Sequence, residues 1–287
     1  MNDTKKSSRL FMILNCLALG IIAMNLTAPV HEATHLLTQM IAGAKPVFLS
    51  FGAADTVDPA IDPNSSFFWK VMYEGSAALM NIVIGFVLLI ILKKAKLGSL
   101  SRPLVLMTTM MHLSMGFGYF LRDGIAYSPD PEHQMGDWSK VLGRFDGNII
   151  LRIGMLVVGS LGILLVFYIA YRQAFHFISD NEDKKERGRV ASAIYLFPYI
   201  LNAVVFTLVE LRNPIGIENV LIISPIINIF GMIGFFWGYM FVAHMVKPRK
   251  DNVYYVSPCA ERKIGLWIIA VAALALDAFV LCPGIYF

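Results

Sequence analysis

Charge is the first thing this sequence has little of. Asp, Glu, Lys and Arg make up only 15 % of its 287 residues, against about a quarter in a soluble domain. Hydrophobic residues make up 57 %, and the mean hydropathy is +0.63. Too little polar side-chain surface is present to clothe an ordinary soluble fold, and far too much apolar surface for disorder. Cysteine is scarce as well. Cys16, Cys259 and Cys282 are scattered, odd in number and without Cys-x-x-Cys spacing. This excludes a disulfide framework and a thiolate metal site. The net charge of +4 is small. It suits basic loops facing an anionic leaflet and gives no sign of a nucleic-acid partner. Neither an internal repeat nor a soluble domain is visible. What remains is an all-α polytopic protein whose solvent and first partner is the lipid bilayer.

A membrane-spanning helix takes about 20 mostly apolar residues. About seven such stretches are predicted: Leu10 to about Gly43, Ser76–Leu92, Pro103–Leu121, Ile149–Tyr171, Val190–Val209, Val220–Val246 and Ile264–Leu281. The first is too long for one straight span and contains Pro29, which predicts a kink or break there. Most of the 24 Lys and Arg residues fall on one side if the N-terminus is cytoplasmic, so that orientation is expected, in a multi-pass protein of a prokaryotic cell membrane. Two longer polar segments, 44–75 and 122–148, then lie outside. The mixed-charge run Ser179–Arg189 reads as a solvated inner loop.

One motif carries chemistry. His31-Glu32-Ala33-Thr34-His35 matches HExxH. On a helix, positions i and i+4 share a face, so both imidazoles reach one zinc ion. Glu32 then stands beside the metal as a general base for water. Ionisable groups this close to an apolar span are costly and so point to function. A catalytic zinc takes three protein ligands, and a third must come from elsewhere.

The flanking sequence resembles the site-2 protease family of intramembrane zinc metalloproteases. Val30–Gly43 followed by Lys45-Pro46-Val47-Phe48-Leu49-Ser50-Phe51-Gly52 is similar to that family's zinc helix and its membrane-associated strand, so a short β segment is expected near 45–52. Gly75-Ser76-Ala77-Ala78-Leu79-Met80-Asn81 is similar to its Gly-Pro-x-x-Asn element, with Ser or Ala in place of Pro. Met135-Gly136-Asp137-Trp138-Ser139-Lys140-Val141-Leu142 is similar to its Leu-Asp-Gly-Gly-x-Val-Leu element, with Trp138 and Ser139 in place of the glycines. The resemblance implies a zinc-dependent endopeptidase that cuts in or near a transmembrane segment of a membrane-protein substrate. It implies one Zn2+ held by His31, His35 and Asp137, Glu32 as the catalytic residue, and Asn81 in substrate binding. It covers roughly residues 10–142. Residues 1–147 are accordingly read as the metalloprotease-like core and 148–287 as accessory helices.

Topology gives a separate argument. Arg9 to His31 spans roughly 33 Å of helix, which puts HExxH toward the outer end of the first span. Asn81 is expected near the outer start of the second span, and Asp137 precedes the fourth, so all three elements share one membrane face. The resemblance implies instead a site that opens to the cytosol.

Asp123, within Arg122-Asp123-Gly124, is the rival third ligand, although its place at a helix end beside Arg122 equally suits an ion pair or a cap. His112 and Asp277 are intramembrane polar residues, read first as hydrogen-bonded partners within the bundle. The Met-rich run Met107–Met115 reads as core packing. Two other functions stay open. One is a membrane protein that binds metal or client helices without hydrolysis, as a transporter or inactive homologue does. The other is a Ste24-like membrane zinc protease.

Overall fold

The computed structural model describes residues 2–57, 66–134, 136–178, 183–214, 229, 232–245, 255–257 and 259–287. Met135, positions 179–182 of the charged run and positions 220–228, 230, 231 and 246 of the predicted span Val220–Val246 lie outside the described residues. Among those described, six helices are long and apolar enough to cross a membrane, one for each remaining predicted span. The chain is an all-α polytopic membrane protein with one small sheet.

The first span is two helices, α1 (Asn2–Asn25) and α2 (Ala28–Ile41). The break falls at Leu26–Thr27, just before Pro29, which occupies the first turn of α2, where its missing N–H is no loss. Thr27 closes the junction by donating from its hydroxyl to Ala23 O at 2.8 Å. Helix α2 ends at Gly43, whose φ of 98° is the left-handed stop a Cβ disfavours.

A hairpin follows. Strand β1 (Lys45–Leu49) runs antiparallel to β2 (Ala54–Val57). The strand is shorter than the predicted 45–52, because Ser50 N already donates back to Ala53 O and turns the chain. The C-terminal β3 (Ile285–Tyr286) pairs with the other side of β1, so β1 is the central strand.

Helix α3 (Phe67–Lys94) begins well before the predicted Ser76. Its first two turns mix Phe68 and Trp69 with Lys70 and Glu74, so they are helical but not apolar enough to count as span. Asn81 therefore sits in the body of α3, while it remains close to the start of the apolar run at Ser76. Helix α4 (Ser101–Ala126) is the centre of the molecule. Leu106, Met107, Met110, Met111 and Leu113 are all fully buried between α3 and the long helix that follows, which confirms the methionine run as core. Between them lies the seven-residue α5 (Asp137–Gly143). Helix α6 (Ile149–Ala174) buries Met155, Gly159, Gly162 and Val166 and exposes Ile153, Val157, Leu161 and Leu164. In a bilayer, that second stripe faces lipid.

Among the described residues, the remaining α-helices are α7 (Lys184–Ala191), continuous through a π-turn with α8 (Phe197–Glu210), then α9 (Ile233–Met240) and α10 (Ile264–Leu276). Asp277, in the π-turn that prolongs α10, accepts a hydrogen bond from Asn25 Nδ2 at 2.9 Å. This intramembrane acid thus has the polar bundle partner expected of it, and it ties the last helix to the end of α1.

Candidate metal centre

Helix α2 presents His31 and His35 one turn apart, with ring centroids 4.9 Å apart in an edge-on arrangement. Both rings point inward, and His31 is 1 % exposed. Asp137, the first residue of α5, meets them from the opposite side. Its Oδ2 stands 3.2 Å from His31 Nε2 and 3.1 Å from His35 Nε2. These three atoms form a group that can hold a metal ion.

The donor set fits that use. Nitrogen and oxygen donors about 2.0–2.1 Å from a tetrahedral ion are separated by roughly 3.3 Å, close to the spacing here. His31 Nε2 and Asp137 Oδ2 are buried and make no hydrogen bond of sound geometry despite facing each other. Buried polar atoms without partners are costly, so a shared cation is the natural complement. Burial by itself raises a carboxyl pKa. The His35 and His31 imidazoles overcome this and hold Asp137 far below the ordinary carboxylate range.

Asn81 stands behind the ligands. Its Nδ2 lies 2.9 Å from His31 Nδ1 and its Oδ1 lies 3.0 Å from His112 Nδ1. All three residues are essentially inaccessible. Both ends of the amide are therefore engaged by imidazoles, a geometry that fits orientation of a ligand histidine better than contact with a substrate. A half-turn of the amide exchanges its two ends at no steric cost. A bound metal would select the arrangement with oxygen on His31, because Nδ1–H then donates and Nε2 keeps its lone pair. Glu32 is half-buried beside the cluster, and among the described residues no ion pair engages its carboxylate.

Asp123 is not in the group that can hold a metal ion. Its carboxylate is used up elsewhere: Oδ1 is held by Arg122 Nε and Nη2, both at 2.7 Å, and Oδ2 accepts from the backbone N–H of Trp138 at 2.8 Å and Ser139 at 3.2 Å. The exposed pair Asp130–His133 is local to its loop, 2.8 Å apart.

Two neighbours were missed in the sequence. Tyr119 stacks on His31, with centroids 5.0 Å apart and planes 10° from parallel. Glu74 of α3 pairs with Arg144 at 2.8 Å and anchors the far end of α5. Tyr119 had a signal: His112, Gly116, Tyr119 and Asp123 fall at spacings of four, three and four, one stripe of α4 turned toward the site. Glu74 had none beyond its charge.

In comparisons with known proteins, no family model, no curated protein and no solved structure matches the chain.

Proposed function

We propose that this protein is a zinc-dependent intramembrane endopeptidase with one Zn2+ bound by His31, His35 and Asp137. The observation that carries the reading is the meeting of three ligand atoms from two distant segments, two of them buried without a partner, with Glu32 next to them and, among the described residues, free of an ion pair. The order of the elements along the chain, which resembles that of site-2 proteases, supports it. When bound, zinc supplies Lewis acidity toward the attacking water and the scissile carbonyl. Glu32 takes the proton from that water and passes it to the leaving amine nitrogen. Asn81 and His112 hold His31 in one orientation and tautomer. The substrate is a transmembrane segment of another protein, and it must unwind locally because every backbone group of a membrane helix is bonded within it. The distribution of Lys and Arg supports a cytoplasmic N-terminus.

The test is the full-length chain in detergent, assayed for zinc content and for cleavage of quenched-fluorescence single-span peptides. Wild type is expected to hold one zinc and cut at least one peptide. Glu32→Gln should keep the zinc and lose about a hundred- to ten-thousandfold in rate. Full zinc without any cleavage, equal in both proteins, would identify a metal-binding membrane protein that does not hydrolyse peptides.

A further inference from the structure

Helix α5 has a problem that its own sequence does not solve. It is only seven residues long, well below the length at which a helix stands alone. Its N-cap, Gly136, has no side chain to cap with. Yet its first residue, Asp137, has to stay within a few tenths of an ångström of its place if it is to share an ion with two histidines from another helix. Something outside α5 must hold it.

That something is one carboxylate on α4. We propose that Asp123 is a positioning residue for the metal centre, a cap supplied from the neighbouring helix that holds Asp137 in place. The proposal rests on the metal reading of His31, His35 and Asp137. Asp123 Oδ2 accepts the N–H groups of Trp138 and Ser139, the second and third residues of α5, which are the donors a local N-cap would satisfy. Asp123 is 1 % exposed, so these bonds do not compete with water. Arg122 fixes Oδ1 and balances the charge.

The same group reaches the other arm of the site. The Arg122 guanidinium lies 4.6 Å above the Tyr119 ring, and Tyr119 stacks on His31. One acid–base pair therefore braces both the carboxylate ligand and an imidazole ligand. Gly136 is part of the device: a Cβ there would run into both Asp123 oxygens and Arg122 Nη2. Trp138 completes the seat, packed on Phe120 with centroids 4.2 Å apart.

The experiment is a cobalt(II) titration of the full-length protein in detergent micelles, read by affinity and by the visible absorption bands. Asp123→Leu should bind cobalt about ten- to a hundredfold more weakly, with altered bands, as expected when a group that orients a ligand is removed. Asp123→Asn keeps an oxygen for the Trp138 and Ser139 N–H groups and should recover most of the affinity. Gly136→Ala attacks the clamp from the other side and should match Asp123→Leu; it also carries the test if Asp123→Leu does not fold. Lower thermal stability with unchanged cobalt affinity and bands would mark a merely structural cap and overturn the proposal. Wild type that takes up no cobalt would remove the metal reading and this proposal together. Metal uptake without peptide cleavage would remove only the peptidase reading, and the Asp123 comparison would still decide for or against the clamp.

Discussion

Replacing Asn81 with Leu isolates the layer behind the ligands. Leu has nearly the volume of Asn plus a methyl group, so the site at the contact of α2, α3 and α4 stays filled. What disappears is the amide that bridges His31 Nδ1 at 2.9 Å and His112 Nδ1 at 3.0 Å. Both ring nitrogens are then buried without a partner, at about 1–3 kcal/mol each, so a loss of roughly 2–6 kcal/mol in stability is expected. Metal binding should suffer separately, because His31 loses the bond that sets its tautomer. Losing a group that orients a ligand costs about ten- to a hundredfold, which corresponds to about 1.4–2.7 kcal/mol in zinc affinity. The assay is competition with a chromogenic chelator in detergent, run on wild type, Asn81→Leu, Asn81→Asp and His112→Leu. Asn81→Asp retains an acceptor for His31 and should bind zinc nearly as wild type. His112 touches no donor and acts through Asn81, so its effect should shrink to nothing in the Asn81→Leu background. That non-additivity is the signature of a relay. Zinc affinity unchanged in Asn81→Leu, or two fully additive losses, would refute the reasoning and return Asn81 to a role in substrate contact.

Two further outcomes follow from the ligand set. Asp137→Ala should abolish stoichiometric zinc while leaving the pair His31 and His35 in place, and zinc analysis of the purified variant checks it. Zinc affinity should also fall as pH drops through the range in which imidazoles take up protons, because a metal binds them only unprotonated. Asp137 is held far below the ordinary carboxylate range, so it stays ionised across that window and its stabilising pairing is lost only at still lower pH. The affinity should therefore fall with a slope approaching two protons. A slope of three would show that the carboxylate titrates with the histidines.

How much of this could be read in the sequence depends on how local each signal is. His31 and His35 sit on one helix face, and a four-residue spacing says so without any tertiary knowledge. The apolar runs located six spans, but their ends were misjudged wherever a helix continues past the apolar part, as α3 does through Trp69, Lys70 and Glu74. What the sequence does not show is that Asn81 is fully buried within the bundle. Asp137 was reached through a resemblance in a seven-residue element, and only the structure shows Asp137 meeting the two histidines while the acceptor positions of Asp123 are filled. The stripe from His112 to Asp123 was legible as periodicity but was read one residue at a time. Strand β3 was beyond reach: two residues carry no periodic signal, and their partner lies at the other end of the chain.

That short strand changes how an extended peptide could meet the site. Read from sequence, β1 offers a free edge along 45–52 for an unwound substrate to pair with. In the structure β2 covers one side of β1, and on the other Tyr286 and Ile285 face Phe48 and Leu49 while Phe287 N donates to Val47 O at 3.1 Å. The chain's own last residues thus fill the edge a substrate strand would use. Few bonds hold them, each worth about 1 kcal/mol net, and the aromatic contact of Phe48 with Tyr286 adds about as much again. Under the peptidase reading, a chain ending at Gly284 should cleave the same single-span peptide several times faster, at a small loss of thermal stability. Adding Val47→Pro to that shortened chain should reverse the gain, because it distorts the exposed edge and removes a backbone donor. Equal rates in the full-length and shortened chains would mean that substrate reaches the metal without pairing to β1, and the strand would then serve only to seat the C-terminus.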